Sequence, residues 1–217
     1  MSQSNKMSMQ QQCATCGYWH DAPFIPTRAV LGHPKGNPRD TKPEERQRKI
    51  EAFTRNLGDV MSSIGAGHAH IVQQLTVLTS QGITGPVAQA DFVVVTGIGV
   101  FVISRMEGHG FVSRGEDQHS LVVQDSTGDI RRYRSPLRCT MAVVGFLRAL
   151  FADFPASIEA LAVFDDERCT LARALPTSLV TMKELEHFFR IRQDAAYCKG
   201  WNLERSKMTD LLLSACK

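Results

Sequence analysis

Residues 89–106 read QADFVVVTGIGVFVISRM, and this stretch constrains the fold more than any other part of the chain. Asp91 to Thr96 and Val100 to Ser104 are apolar runs rich in β-branched residues. Gly97, Ile98 and Gly99 between them supply a turn, so the pattern predicts a β-hairpin. Regular alternation of apolar and polar side chains, which marks a sheet with one wet face, is missing. Continuous hydrophobicity instead predicts strands covered on both faces, in the middle of a mixed sheet with helices packed over it. The 217 residues, 43% of them hydrophobic, are enough for one sizeable α/β domain and a small appendage.

The flanking sequence supplies elements for such a sheet. Thr41, Pro43, Glu44 and Glu45 form a helix start, and Ile50, Phe53, Leu57, Val60, Met61 and Ile64 then recur at helical spacing. A second helix is expected from His68 to Ser80 through Ile71, Leu75 and Leu78, with His68 and His70 as ordinary surface or capping residues. Beyond the hairpin, Phe111–Val112 reads as a short strand. His119–Gln124 and Ile130–Arg134 read as a second hairpin around Ser126 to Asp129. Thr140 to Phe151 is an amphipathic helix, Ala160 to Phe164 a strand, and Asp165, Asp166 and Glu167 an acidic connecting turn. Thr181 caps a helix carrying Leu185, Phe188, Phe189 and Ile191, and a last helix runs from about Leu203 to Cys216.

Composition bounds the setting. No apolar run is long enough to cross a bilayer, and the polar start MSQSNKMSMQQQ lacks the apolar core of a signal peptide, so the expected place is the cytoplasm, without membrane insertion. A net charge of +3 is only mildly basic and does not by itself argue for nucleic acid. The six cysteines, at 13, 16, 139, 169, 198 and 216, are too dispersed for a disulfide framework and read as thiols, metal ligands or core fillers. Cys13 and Cys16 form a CxxC followed by glycine, and with His20 or His33 they make a candidate zinc knuckle. Two free cysteines on an arm is the alternative. Residues 21–43 are rich in proline and glycine and read as an extended arm suited to docking. The division is thus an arm over 1–43, an α/β domain over 44–190 and a helical tail over 191–217.

The hairpin and the downstream sequence resemble the nuclease-related domain (NERD) family, a branch of the restriction-endonuclease-like fold. Asp91 falls at the family's acidic position before the first strand, and Val100-Phe101-Val102-Ile103 reproduces the lead-in of the second. Tyr133 to Pro136 stands where the family has Asn-Pro before a helix, and Cys139 where glutamine is common. Ala160 to Phe164 matches a later strand, and Leu179-Val180 with Met182 to Leu185 matches a closing strand and helix, so the resemblance spans about 67–190. It implies a mixed sheet flanked by helices, and it implies bacterial origin in DNA handling or mobile elements. In that nuclease class carboxylates hold a hard divalent metal while a lysine positions the attacking water. This chain has Ser104 in place of the glutamate and Met106 in place of the lysine. Serine is a poor ligand and a thioether too soft, so magnesium is not expected.

These observations support three functional classes. One is a catalytically inactive nuclease-like accessory or scaffold protein that binds a protein assembly or nucleic acid, with Arg131, Arg132, Arg134 and Arg138 as the binding cluster. The second is a divergent metal-dependent endonuclease, for which Asp91, Glu107 and Arg105 are the local substitutes, with Gln89 and Glu116 as further oxygen donors. The third is a zinc-stabilised nucleic-acid-binding module built on Cys13, Cys16, His20 and the arginines.

Overall fold

The structure, a computed structural model, describes residues 11–12, 19–20, 26–31, 43–65, 69–79, 87–117, 119–199 and 203–216. In chain order the elements are β1 (Gln11–Gln12), β2 (Trp19–His20), β3 (Pro26–Leu31), α1 (Pro43–Ser63), β4 (His70–Thr79), β5 (Val87–Thr96), β6 (Gly99–Met106), β7 (Gly110–Arg114), β8 (Ser120–Gln124) and β9 (Ile130–Arg134). Then come α2 (Pro136–Cys139), α3 (Met141–Leu150), β10 (Ile158–Phe164), β11 (Cys169–Leu171), β12 (Leu179–Thr181), a 3-10 turn Met182–Glu184, α4 (Leu185–Cys198) and α5 (Arg205–Ala215). The main sheet has six strands in the order β12-β10-β6-β5-β4-β3, parallel on either side of β10 and antiparallel elsewhere. A second, four-stranded sheet is ordered β11-β7-β8-β9, and β1 pairs with β2 alone.

The β5–β6 hairpin lies at the middle of the larger sheet and is buried on both faces. Val93, Val95, Val100 and Val102 pack under α3 and α5 through Val143, Val144, Leu147, Met208 and Leu212. Phe92, Val94, Phe101 and Ile103 face α1 and α4 through Phe53, Leu57, Leu185 and Phe189. Phe53 stacks on Phe92 at 4.9 Å between ring centroids, and Phe101 meets Phe189 edge-on at the same distance. The glycine turn is tight for a reason: a Cβ at Gly99 would stand 2.9 Å from the Ser157 carbonyl oxygen, which accepts the Val100 N–H at 2.8 Å. Thr96 Oγ1 completes it by accepting the Ile98 and Gly99 N–H groups while donating to the Gly99 carbonyl.

The helix expected over 68–80 is a strand. Residues 70–79 contain Ile71, Val72, Thr76, Val77 and Thr79, whose branching favours the pleated conformation, and they pair antiparallel with β5. The misleading helical spacing has a structural origin in Gln74, whose φ is +56°. A residue in that left-handed region resets the alternation, so Val72 and then Leu75 and Val77 face the same layer although Val72 and Leu75 are three apart. The partner strand is reset at the same level, since Ala90 and Val93 also share that layer. Register is kept across the double kink, with Gln73 opposite Phe92 and Leu75 opposite Ala90. His70 is exposed, and His68 lies outside the described residues.

Other expectations are met with adjusted ends. The amphipathic helix begins as α2 and continues as α3 after Thr140, and Thr181 and Glu184 form a reciprocal capping box ahead of α4. Pro26–Leu31 of the proline-rich arm joins the main sheet at its edge, beside β4. The second sheet packs Val112, Leu121 and Val123 against Ala162, Phe164 and Leu179. Among the described residues no helix is long and apolar enough to cross a membrane.

On α5, Thr209 Oγ1 is buried and has no hydrogen-bond partner among the described residues. Thr209→Val replaces that hydroxyl by a methyl of similar size. It is expected to raise the unfolding free energy by about 1 kcal/mol in urea titration, because the desolvated oxygen is removed without leaving a hole.

Candidate functional site

The end of β6 carries a buried, multiply bonded charged side chain, Arg105. Phe101 and Ile103 face α1 and α4, and strand alternation places Arg105 on that same side. Its side chain is only 8% exposed. The parallel register sets Val163 opposite Arg105, so Asp165, two residues further along β10's line, stands beside the guanidinium. Arg105 Nε donates to Asp165 Oδ2 at 2.5 Å and Nη2 to Glu107 Oε1 at 2.7 Å, while the Arg105 backbone N–H donates to Asp91 Oδ2 at 2.8 Å. Lys49 of α1 closes the outer side, 3.9 Å from Glu107 and 3.2 Å from Glu45. Next to this network is a small cavity of about 40 Å³ lined by Arg46, Ile50, Gln74, Asp91, Phe92 and Arg105. The left-handed Gln74 therefore sits at its wall, and the double kink gives Asp91 its place there.

Of Asp91, Ser104 and Met106, the positions that the sequence resemblance singled out, the structure brings only Asp91 to this place. Ser104 and Met106 alternate to the opposite face. Ser104 is buried, and Met106 packs with Val112, Phe164 and their neighbours under the second sheet. Glu107 is present but is engaged by Arg105. Glu116 lies in the β7–β8 connection and pairs with Arg132 at 2.9 Å, so it does not join the group. Gln89 is half-buried on β5. A magnesium ion asks for several oxygen ligands in near-octahedral array. Here the carboxylates of Asp165 and Glu107 are taken by a planar, permanently charged guanidinium, and an Asp91 oxygen by a backbone N–H. The residues do not fit that ion. Among the described residues no three of His, Cys, Asp and Glu are grouped to hold any metal.

Sequence reasoning misses Arg105 and Asp165 as a pair. The signal is available in the alternation Phe101, Ile103, Arg105, which points a charge into a buried layer that needs an acid. Asp165 instead reads as part of an acidic turn. Its neighbour Asp166 does serve the turn: Arg168 holds its carboxyl down to about 2, first by side-chain and then by backbone hydrogen bonds. Arg168 reaches Asp166 Oδ2 at 2.9 Å, and His109 Nδ1 lies 3.9 Å from the same oxygen. Beside them Cys169 is buried, and burial followed by the Asp166 charge pushes its thiol up to about 11, so it stays protonated at neutral pH.

The four arginines expected to form one binding cluster are exposed but divided. Leu121 and Val123, opposite Tyr133 and Arg131, face the core, so Arg131 and Tyr133 share the inner face of β9 with His109, Asp125 and Asp129 nearby. Arg132 and Arg134 project from the outer face, and Arg138 belongs to α2. Cys13, Cys16 and His33 lie outside the described residues, and of His20 only the backbone, in β2, is described.

Removing Arg105 leaves the half-buried Asp165 carboxylate without its guanidinium partner. Arg105→Ala is expected to cost about 3 kcal/mol of stability by urea denaturation. A double-mutant cycle with Asp165→Ala should return a coupling of about 2 kcal/mol. For Asp166 the folded value lies below the ordinary 3.8, so its contribution is fully present above about pH 4 and is lost as pH falls toward 2. Arg168→Ala should move the carboxyl titration, followed by carbon NMR, back up toward 3.8.

Compared with known proteins, the chain matches no family model, no curated protein and no solved structure.

Proposed function

We propose that this chain is a catalytically inactive, nuclease-like accessory or scaffold protein that works by binding a protein or nucleic-acid partner. The observation that carries the reading is the position of Arg105. In the nuclease-related domains that the hairpin resembles, the end of this strand presents an acid and a lysine to a hard metal. Here the same strand end presents a guanidinium whose hydrogen bonds consume the nearby carboxylates of Asp165 and Glu107. An internal cation of fixed charge satisfies the acidic group in place of an exchangeable one. The serine and methionine that replace the family's acid and base face away from Asp91's side and serve packing. What is kept is a rigid frame with exposed polar edges, which suits binding. The resemblance adds a bacterial setting in DNA handling or a larger assembly.

The competing reading is a divergent endonuclease using Asp91, Arg105 and Glu107, and one assay separates the two. Supercoiled plasmid and single-stranded DNA are incubated with the purified chain in magnesium or manganese, beside the Asp91→Ala variant. The expected result is no nicking above the buffer control by either protein. Metal-dependent cleavage that disappears in Asp91→Ala would refute the proposal, because group-specific loss cannot come from a contaminating nuclease.

A further inference from the structure

We propose that β9 is a docking edge for an extended acidic segment of a protein partner, an inference that rests on the binding-protein reading and gives the partner its chemistry. Strand β9 ends the four-stranded sheet, with no strand on its far side among the described residues. Such an edge offers backbone N–H and C=O groups to any chain that lies alongside, which is the basis of recognition by strand addition. All five of its side chains are exposed or half-exposed.

The side chains select what is added. On the outer face Ile130, Arg132 and Arg134 stand at alternate positions. Among the described residues Arg134 and Arg131 have no acidic partner, and Arg132 has only the exposed Glu116. Ile130 is 61% exposed and Phe111 47% exposed. Both lie in one row across the sheet, since Phe111 is opposite Gln124 and Gln124 opposite Ile130. An added strand that places an apolar side chain beside Ile130 sets its residues two and four positions along beside Arg132 and Arg134. The complementary segment therefore reads apolar, any, acidic, any, acidic where it runs parallel to β9, and acidic, any, acidic, any, apolar where it runs antiparallel. Charge alone would explain a protected edge, but protection does not call for two exposed apolar residues aligned at the end of the same face. Nucleic acid fits the arrangement less well. The four arginines are split between both faces of β9 and α2 and so offer phosphates no continuous track, whereas the strand edge is specific for peptide backbone.

The test is fluorescence anisotropy of labelled, capped peptides carrying this alternating pattern in each of its two orders against the full chain. Controls are the same composition scrambled, each peptide N-methylated at alternate amides, and oligothymidylate of equal charge. The expected result is saturable binding that weakens about tenfold on N-methylation and about tenfold in Arg132→Glu/Arg134→Glu, with Ile130→Ser weakening it several-fold. Circular dichroism checks that the variants are folded, and the N-methylated arm needs no variant. Equal binding of the scrambled or N-methylated peptide, tighter binding of oligothymidylate, or no binding of either patterned peptide overturns the proposal. Any of these with no plasmid nicking removes only the edge assignment. Asp91-dependent nicking removes the reading beneath it.

Discussion

Burial of the β5–β6 hairpin on both faces is the constraint that sets the architecture. Two adjacent strands whose paired segments, Phe92–Val95 and Val100–Ile103, consist wholly of Val, Phe and Ile have no wet side there, so each face must be covered by a separate layer. The two amphipathic sets of helices answer this need: α1 and α4 bring Phe and Leu to one face, α3 and α5 bring Val, Leu and Met to the other. Parallel pairing of β10 beside β6 then needs a crossover, and the chain between them contains three strands of the second sheet, β7 to β9, with α2 and α3. The second sheet in turn covers the end of the first, where Ala162, Phe164 and Met106 project.

A sheet buried in this way has few places for a polar group, and the double kink makes one. The left-handed residue Gln74 costs on the order of 1 kcal/mol in backbone conformation. It also breaks the apolar alternation of β4 and β5 at a single level and leaves room for Asp91 and a small cavity beside the apolar core. Arg105 enters the same region from β6. Its burial would be prohibitive alone, but Asp165 and Glu107 supply counter-charge and the Asp91 carboxylate fixes its backbone. Strain and charge are concentrated at one end of the central hairpin, while Phe92, Val94, Phe101 and Ile103 keep the adjoining layer apolar.

How much of this is legible in the sequence depends on whether the signal is local. The hairpin, the helix α1 after its acidic first turn, the capped start before α4 and the second hairpin all announce themselves through nearest neighbours. Strand β4 does not, because the kink at Gln74 gives a strand the three-and-four spacing of a helix, and nothing in residues 70–79 alone reveals that φ is positive there. Only the pairing with β5, a tertiary fact, decides it. The division of Arg131, Arg132, Arg134 and Arg138 between faces is readable in principle, since strand alternation separates 131 from 132 and 134; treating proximity in sequence as proximity on a surface hides it. The Arg105–Asp165 pair joins residues sixty apart, and it depends on the register of β6 against β10.

That pair also bears on how a largely apolar layer can hold several acids in one place. Carboxylates gathered in a half-buried place without a cation repel one another and destabilise a domain. Arg105 supplies the cation from within β6, on the face where the acids lie and to which Ser104 does not point. Its fork geometry fixes the carboxylates by hydrogen bonds, and its charge cannot be titrated away. A strand end of this kind keeps the acids, the cation and the hairpin in one arrangement, because the neutralising charge is part of the chain itself.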